Sequence, residues 1–462
     1  MSHPDPRKAK AFRFVRNEYA DGEAQLVYAF DDGPELIERI GFPDAPDLPA
    51  ERQAAFKAAL DLLHLIAGVS YYKAGVPDEI LVEGIQIDAA TGGFLEALYL
   101  HGLGEFAYQN KIDLRGKILF STRAVPMDTG VRRDDGEGRE AVSGGRGVAI
   151  GLPRNTLVPI GGGKDSLVSV EILKALGESA TAVWIGNSAL IESCAQRTGL
   201  PTLNISRSIS QVLFDYNRAG ALNGHIPVTA INSAILLVAA ILYGHDAIAF
   251  SNERSASSAT LEYDGVPINH QWSKGWEFER GFRELILAKV TPSIDYFSLL
   301  RPLSELAVAS RFARSNRYDD VFSSCNRNFR ILGPKPSDRW CGQCPKCHFV
   351  FLALAPFMPK PRLLGIFGRN LLDDSTQTGG FDALIEYHDH KPFECVGEGR
   401  ESRAAMTTLS QRAEWREDAI VERFAHEILP QLDMTELGIE SLLRVEGEHA
   451  IPKRLFAEVE RG

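Results

Sequence analysis

From about residue 150 the chain settles into an alternation that few folds accommodate. TLVPI, TAVWI, PTLNI and AIAF (247–250) are short apolar runs, and stretches that read as helix over Ser166–Leu176, Ile191–Thr198 and Val228–Tyr243 separate them. A parallel neighbour needs a long crossover, and a crossover helix covers the face of the sheet. The pattern therefore predicts an α/β fold with a doubly wound parallel sheet. Ligands of such sheets bind beyond the carboxyl ends of the strands. Two segments fall there, Gly161-Gly162-Gly163-Lys164-Asp165-Ser166 and Ser251-Asn252-Glu253-Arg254.

The segment before this alternation is built differently. FRFVRNEY and QLVYAF read as two strands joined by an Asp21-Gly22 turn, and Phe56, Leu60, Leu63 and Ala67 fall on one face of a helix. VRRDDGEGREAVSGGRG (131–147) is charged, glycine-rich and aperiodic, which marks a loop or linker. The expected organisation is an α+β N-terminal domain over 1–150, the alternating domain over 151–360, and a partly helical C-terminal segment over 361–462. In that last segment Val421, Phe424 and Ile428 share a face.

Composition narrows the partners. The 462 residues are 44% hydrophobic and 24% charged, an ordinary globular balance, and the net charge of −11 offers no general attraction to a phosphate backbone. Nucleic acid is not expected. The first residues, MSHPDPRKAK, lack a signal-peptide core, and the apolar stretch Ala230–Tyr243 is short of the roughly 20 residues that span a bilayer. A cytoplasmic protein with no membrane contact is expected, and its oligomeric state is not legible.

The loop LVPIGGGKDSLV carries the first chemical signal. Gly161, Gly162 and Gly163 let backbone N–H groups approach an anion, the helix that follows adds its positive end, and Lys164 and the Ser166 hydroxyl supply further donors. This is not a Walker A loop, because Val158 and Asp165 stand where that pattern needs Gly and Ser or Thr. A plain glycine turn from strand to helix is the alternative. The loop resembles SGGxDS, the PP-loop of N-type ATP pyrophosphatases, through Gly162, Gly163, Asp165 and Ser166; Gly161 replaces the usual Ser. The resemblance implies an adenine nucleotide alpha hydrolase-like fold, ATP cleaved with Mg²⁺ to AMP and pyrophosphate, and a second nucleotide-facing loop. Asn252 and Glu253 are the candidates there, a capped turn being the alternative.

Four of the six cysteines lie close together: Cys325, then Cys341, Cys344 and Cys347 in CGQCPKC. Thiolates gather around a cation, and a four-thiolate set suits a closed structural Zn²⁺ site. An iron–sulfur cluster or a group of reduced thiols is the alternative. A Cys followed by CxxCxxC after the ATP domain is similar to the 7-cyano-7-deazaguanine synthases, which are PP-loop enzymes with structural zinc, although the gap from Cys325 to Cys341 is longer here.

That comparison leaves both ends of the chain without a counterpart. NGHIPVTAINS (223–233), NERSAS (252–257), CGQCPKC (341–347) and KPFECVG (391–397) together resemble the bacterial family of UDP-N-acetylmuramoyl-L-alanyl-L-glutamate epimerases. The resemblance implies ATP-dependent inversion of the terminal glutamate of a nucleotide-linked peptide, through an acyl-adenylate. Asp165 and Lys164 then serve activation. Cys395 is the candidate for moving the Cα proton, with Glu394, His270 and Lys274 as weaker ones; a buried, inert cysteine is the alternative. Trp272 and Trp276 are candidates for stacking on uracil or, equally, members of a helical core. Two other functions stay open, PP-loop amide, nitrile or thiolation chemistry and a zinc-stabilised nucleotide sensor without turnover.

Overall fold

The computed structural model describes residues 4–120, 147–330, 334–388, 390–433 and 437–461. Nearly all of the 131–147 segment lies outside them. Eleven strands are present among the described residues: β1 (Ala11–Ala20), β2 (Glu23–Phe30), β3 (Leu36–Gly41), β4 (Glu79–Val82), β5 (Thr156–Pro159), β6 (Ala180–Ile185), β7 (Thr202–Ser208), β8 (Ala247–Phe250), β9 (Leu261–Tyr263), β10 (Val266–Ile268) and β11 (Asp295–Ser298). The chain forms two compact units that interleave in sequence. One comprises residues 1–154, 204–248 and 278–295, the other 155–203, 249–277 and 296–462. A cut near 150 separates the first crossing only, since the chain returns to the N-terminal unit twice.

In the first unit the strand order is β7-β3-β2-β1-β4, antiparallel except for β1 with β4. The β1–β2 hairpin turns on Asp21 and Gly22 at φ 50° and 76°, the paired left-handed residues that match strand twist and that Asp-Gly adopts at least strain. A bulge between Phe14 and Arg16 breaks the alternation, leaving Phe12 and Phe14 in the core beside Tyr28. The predicted helix is Gln53–Ala67, and it packs on Val228–Tyr243. That second helix buries every residue from Ala230 to Leu242 except Asn232, as a helix apolar all round must. The helical stretch Ala50–Tyr72 is long and apolar enough to cross a membrane, but 78% of its apolar window is buried within the fold, as in a core helix.

The second unit is α/β. Its strands follow the order β11-β8-β5-β6, with β5 and β6 parallel in register from Thr156↔Ala180 to Pro159↔Val183. Helix Lys164–Ala175 springs from the end of β5 and packs against Glu305–Ala313, which in turn packs on Pro345–Leu354 and Gly399–Ser410. The C-terminal segment is largely helical, and Val421, Phe424 and Ile428 are all buried. Trp272 and Trp276 do not share a helix. Trp272 opens a 3₁₀ turn, Gly275 is extended, and Trp276 begins the next helix, so their spacing of four does not align them.

Candidate active site

The glycine loop lies where β5 ends. Gly162 takes φ +82°, a conformation side chains strain to adopt, and this turn aims the first amides of helix Lys164–Ala175 away from the strand. No side chain caps that helix start. The Gly162 carbonyl accepts from the Ser323 amide (2.8 Å) and from the Cys194 thiol (3.5 Å), which fixes the loop from behind. Open space surrounds the position a Gly161 side chain would take. Ser166 is turned back on the Gly163 carbonyl at 3.3 Å.

Three carboxylates converge on this loop from different elements. Asp165 is the second residue of its helix, Glu253 follows β8 by three residues, and Glu305 opens its helix after the Ser304 cap. One oxygen from each lies within 4.8 Å of the others. Lys164, 1% exposed, places its ammonium against both Asp165 and Glu305. Burial alone would lower its pKa, but the two carboxylates override that and raise it, so it is a fixed positive charge. Glu253 moves the other way. Burial, together with the charges on Glu305 and Asp165, pushes its carboxyl up to about 8, the behaviour of one acid too many in a confined space. A divalent cation would reverse that preference, and three carboxylate oxygens within 4.8 Å of one another are close enough to share one ion.

A second group lies alongside. The Lys274 ammonium is 3.3 Å from Cys395 Sγ. Burial would raise that thiol, yet Lys274, then His270 and Lys346, pull it down to about 5, so it is a thiolate at neutral pH. Lys274 is itself held protonated, against the effect of burial, by Cys395, Glu253 and Asp165. Glu394 accepts from the Lys346 amide at 3.1 Å and is raised by burial. The Lys346 ammonium donates to the Cys395 carbonyl and stands 4.0 Å from Glu305. Arg301, 2% exposed, ties the two groups through their backbones, donating to the carbonyls of Glu253 (2.8 Å) and Lys274 (2.6 Å). Asn252 is engaged with Ser298 at 3.1 Å.

The four cysteines meet as well. Cys325, Cys341, Cys344 and Cys347 bring their sulfurs within 4.8 Å of one another, with Cys341–Cys347 at 3.7 Å and Cys344–Cys347 at 3.5 Å. Tetrahedral Zn²⁺ at ~2.3 Å from each sulfur requires sulfurs about 3.8 Å apart. Thiolates this close leave room for one ion; a cluster of several metals would force them apart. Cys344 and Cys347 flank Lys346, so whatever fixes these thiols also fixes the helix start that presents Lys346 to the carboxylates.

Asp165, Lys164, Glu253, Lys274, His270, Glu394 and Cys395 thus share one site although the first and last of them in the chain, Lys164 and Cys395, stand 231 positions apart in sequence. Glu305, Lys346 and Arg301 were not singled out by sequence. Glu305 sits in PLSELAV, an ordinary capped helix start; its one signal is position, just beyond a strand of the sheet. Lys346 was masked by the thiols around it.

Fold and site together define an α/β protein with a buried cluster of carboxylates, ammonium groups and a thiol beside a glycine loop, and comparison with known proteins makes this specific. The model for the MurL N-terminal domain matches residues 3–299, and that for the MurL C-terminal domain matches 321–437. A protein of Xanthomonas oryzae pv. oryzae, named UDP-N-acetyl-alpha-D-muramoyl-L-alanyl-L-glutamate epimerase, is 56% identical over 462 residues, covering 99% of both chains. A protein of that name from Salinispora tropica is 42% identical over 91% of this chain and 89% of its own, and one from a Micromonospora strain is 39% identical over 98% of each. The chain belongs to the MurL family, whose named members here are epimerases.

Proposed function

We propose that this chain inverts the terminal L-glutamate of UDP-N-acetylmuramoyl-L-alanyl-L-glutamate, and that it does so by first activating the glutamate with ATP. The observation that carries the reading is the joining of two kinds of chemistry in one pocket of charge: three carboxylates and Lys164 at a glycine loop, and the Cys395 thiolate beside Lys274. The first kind suits a triphosphate, the second suits proton transfer at carbon.

A glutamate carboxylate resists losing its Cα proton because the carbanion would form beside an existing negative charge. Adenylation removes that charge. In this reading the loop amides of Gly161–Gly163, Lys164 and Ser166 receive the phosphates, Asn252 and Glu253 face the nucleotide, and the substrate carboxylate attacks the α phosphorus as pyrophosphate leaves. Asp165, Glu253 and Glu305 would hold Mg²⁺, which would neutralise phosphate charge. Cys395 then takes the Cα proton of the acyl-adenylate, a proton returns on the opposite face, and water releases AMP and the D-glutamyl product. Lys274 and His270 keep the thiol ionised between turnovers. The Cys₄ set would hold Zn²⁺ as a structural ion through its four sulfurs.

The test is product analysis with the purified chain, ATP and Mg²⁺. AMP and pyrophosphate released only when the L-glutamyl nucleotide is added support the reading. Release triggered by a deazapurine acid or by tRNA would favour the other PP-loop chemistries, and binding of ATP with no release under any addition would favour a sensor.

A further inference from the structure

Against the Cys₄ set, with Cys341 in its lining, is a cavity of about 780 Å³ with no role so far. Arg327, Arg330, Lys335, Arg339 and Arg369 line it, and Asp338 is the one carboxylate among its described lining residues. The indole N–H of Trp340, a lining residue only 5% exposed, has no acceptor among the described residues. We propose that this cavity binds the pyrophosphate bridge of the nucleotide-linked substrate, a subsite separate from the one that takes ATP; the assignment rests on the epimerase reading.

Position connects the two sites. The loop from Ser323 to Arg330 runs between them. Its Ser323 amide holds the Gly162 carbonyl, Phe329 lies 3.6 Å from where a Gly162 side chain would begin, and the Asn326 side chain bonds Glu394. Four residues later the same loop supplies Arg330 to the cavity, and Arg327 lies on it too. A substrate with a reacting glutamate at one end and a pyrophosphate handle at the other needs two separate subsites that share a connecting element. Charge agrees. Cys341 lines the cavity as well. The five cations outnumber Asp338, the single carboxylate among the described lining residues, which gives the lining a net positive charge suited to an anionic pyrophosphate diester. Arginine is suited to this role because its planar fork pairs two phosphate oxygens at once. Arg327 is already oriented by Gln343 at 2.9 Å, Arg369 by the Cys341 carbonyl at 3.0 Å, and Arg339 by the carbonyls of Asp319 and Phe322, so part of the ordering entropy is already spent before binding.

Arg330 and Lys335 are exposed, which makes Arg330→Glu with Lys335→Glu a change that spares the core. UDP is titrated calorimetrically into the metal-loaded full chain and into this double variant, with uridine and a short single-stranded oligonucleotide as comparisons and metal content measured on each sample. UDP binding by the parent but not uridine, weakened about tenfold or more in the variant at unchanged metal content, supports the subsite; about tenfold is ~1.4 kcal/mol. Equal UDP affinity in parent and variant, no UDP binding at millimolar concentration, or tighter binding of the oligonucleotide overturns it. Loss of metal together with UDP binding in both this variant and Arg330→Gln also overturns it, by assigning the cations to the thiolate cage. The titration uses neither ATP nor turnover, so its failure is distinguishable from failure of the epimerase reading.

Discussion

Cys395 and Lys274 set the pH behaviour of the site. An ammonium 3.3 Å from the sulfur is the strongest force lowering the thiol, and the thiol titrates at about 5 rather than near the ordinary 8.5. The reactive form is therefore present above pH 5 and lost as pH falls through it. Iodoacetamide alkylation of Cys395, followed against pH, is expected to show a midpoint near 5. Lys274→Met should move that midpoint upward by a unit or more, and an unmoved midpoint would remove Lys274 from its assigned role. Asp165→Ala makes a sharper demand on the activation half. It removes one of three converging carboxylates and leaves the Lys164–Glu305 pair in place, so AMP formation should fall by more than about 100-fold while the circular dichroism spectrum is retained.

At the scale of elements, the glycine loop and the Cys₄ helix are the parts whose geometry the site depends on. Gly162 is at φ +82°, where a side chain costs ~1–2 kcal/mol, whereas the space around Gly161 is open. Gly162→Ala is therefore expected to weaken ATP binding by roughly tenfold, and Gly161→Ser, which supplies the hydroxyl that PP-loop sequences carry, to fold normally and bind ATP at least as well. Equilibrium binding of ATP to the two variants checks both directions. If the four cysteines hold a structural metal as proposed, Cys344→Ser should lower metal content and the thermal midpoint together, because Cys344 stands at the start of the helix that carries Lys346. A stable, metal-free, inactive variant would instead make the thiols participants in the chemistry.

For the molecule as a whole, what was legible in the sequence was what local chemistry dictates. Asp21-Gly22 forces a hairpin, the run from Val228 to Tyr243 is too apolar to be anything but a buried helix, and the AIAF strand is found at 247–250. The glycine loop and the close-set thiols stand out in the sequence for the same reason, since their spacing is local. Glu305 was not, because its meaning arises only when its helix start is brought against Lys164, 141 positions earlier. The interleaving of the two units escaped sequence as well, since the apolar helix Val228–Tyr243 reads the same whichever core it enters. Trp272 and Trp276 show the converse error, a helical spacing interrupted by an extended glycine.

One measurement addresses activation and inversion at once. The chain is incubated in D₂O with ATP, Mg²⁺ and UDP-N-acetylmuramoyl-L-alanyl-L-glutamate, and the glutamate is then recovered for mass and chirality. The account predicts D-glutamate carrying one deuterium at Cα, with one AMP and one pyrophosphate formed per inversion. Inversion without nucleotide consumption, formation of ADP, or AMP release with the L-glutamate unchanged and undeuterated would contradict it.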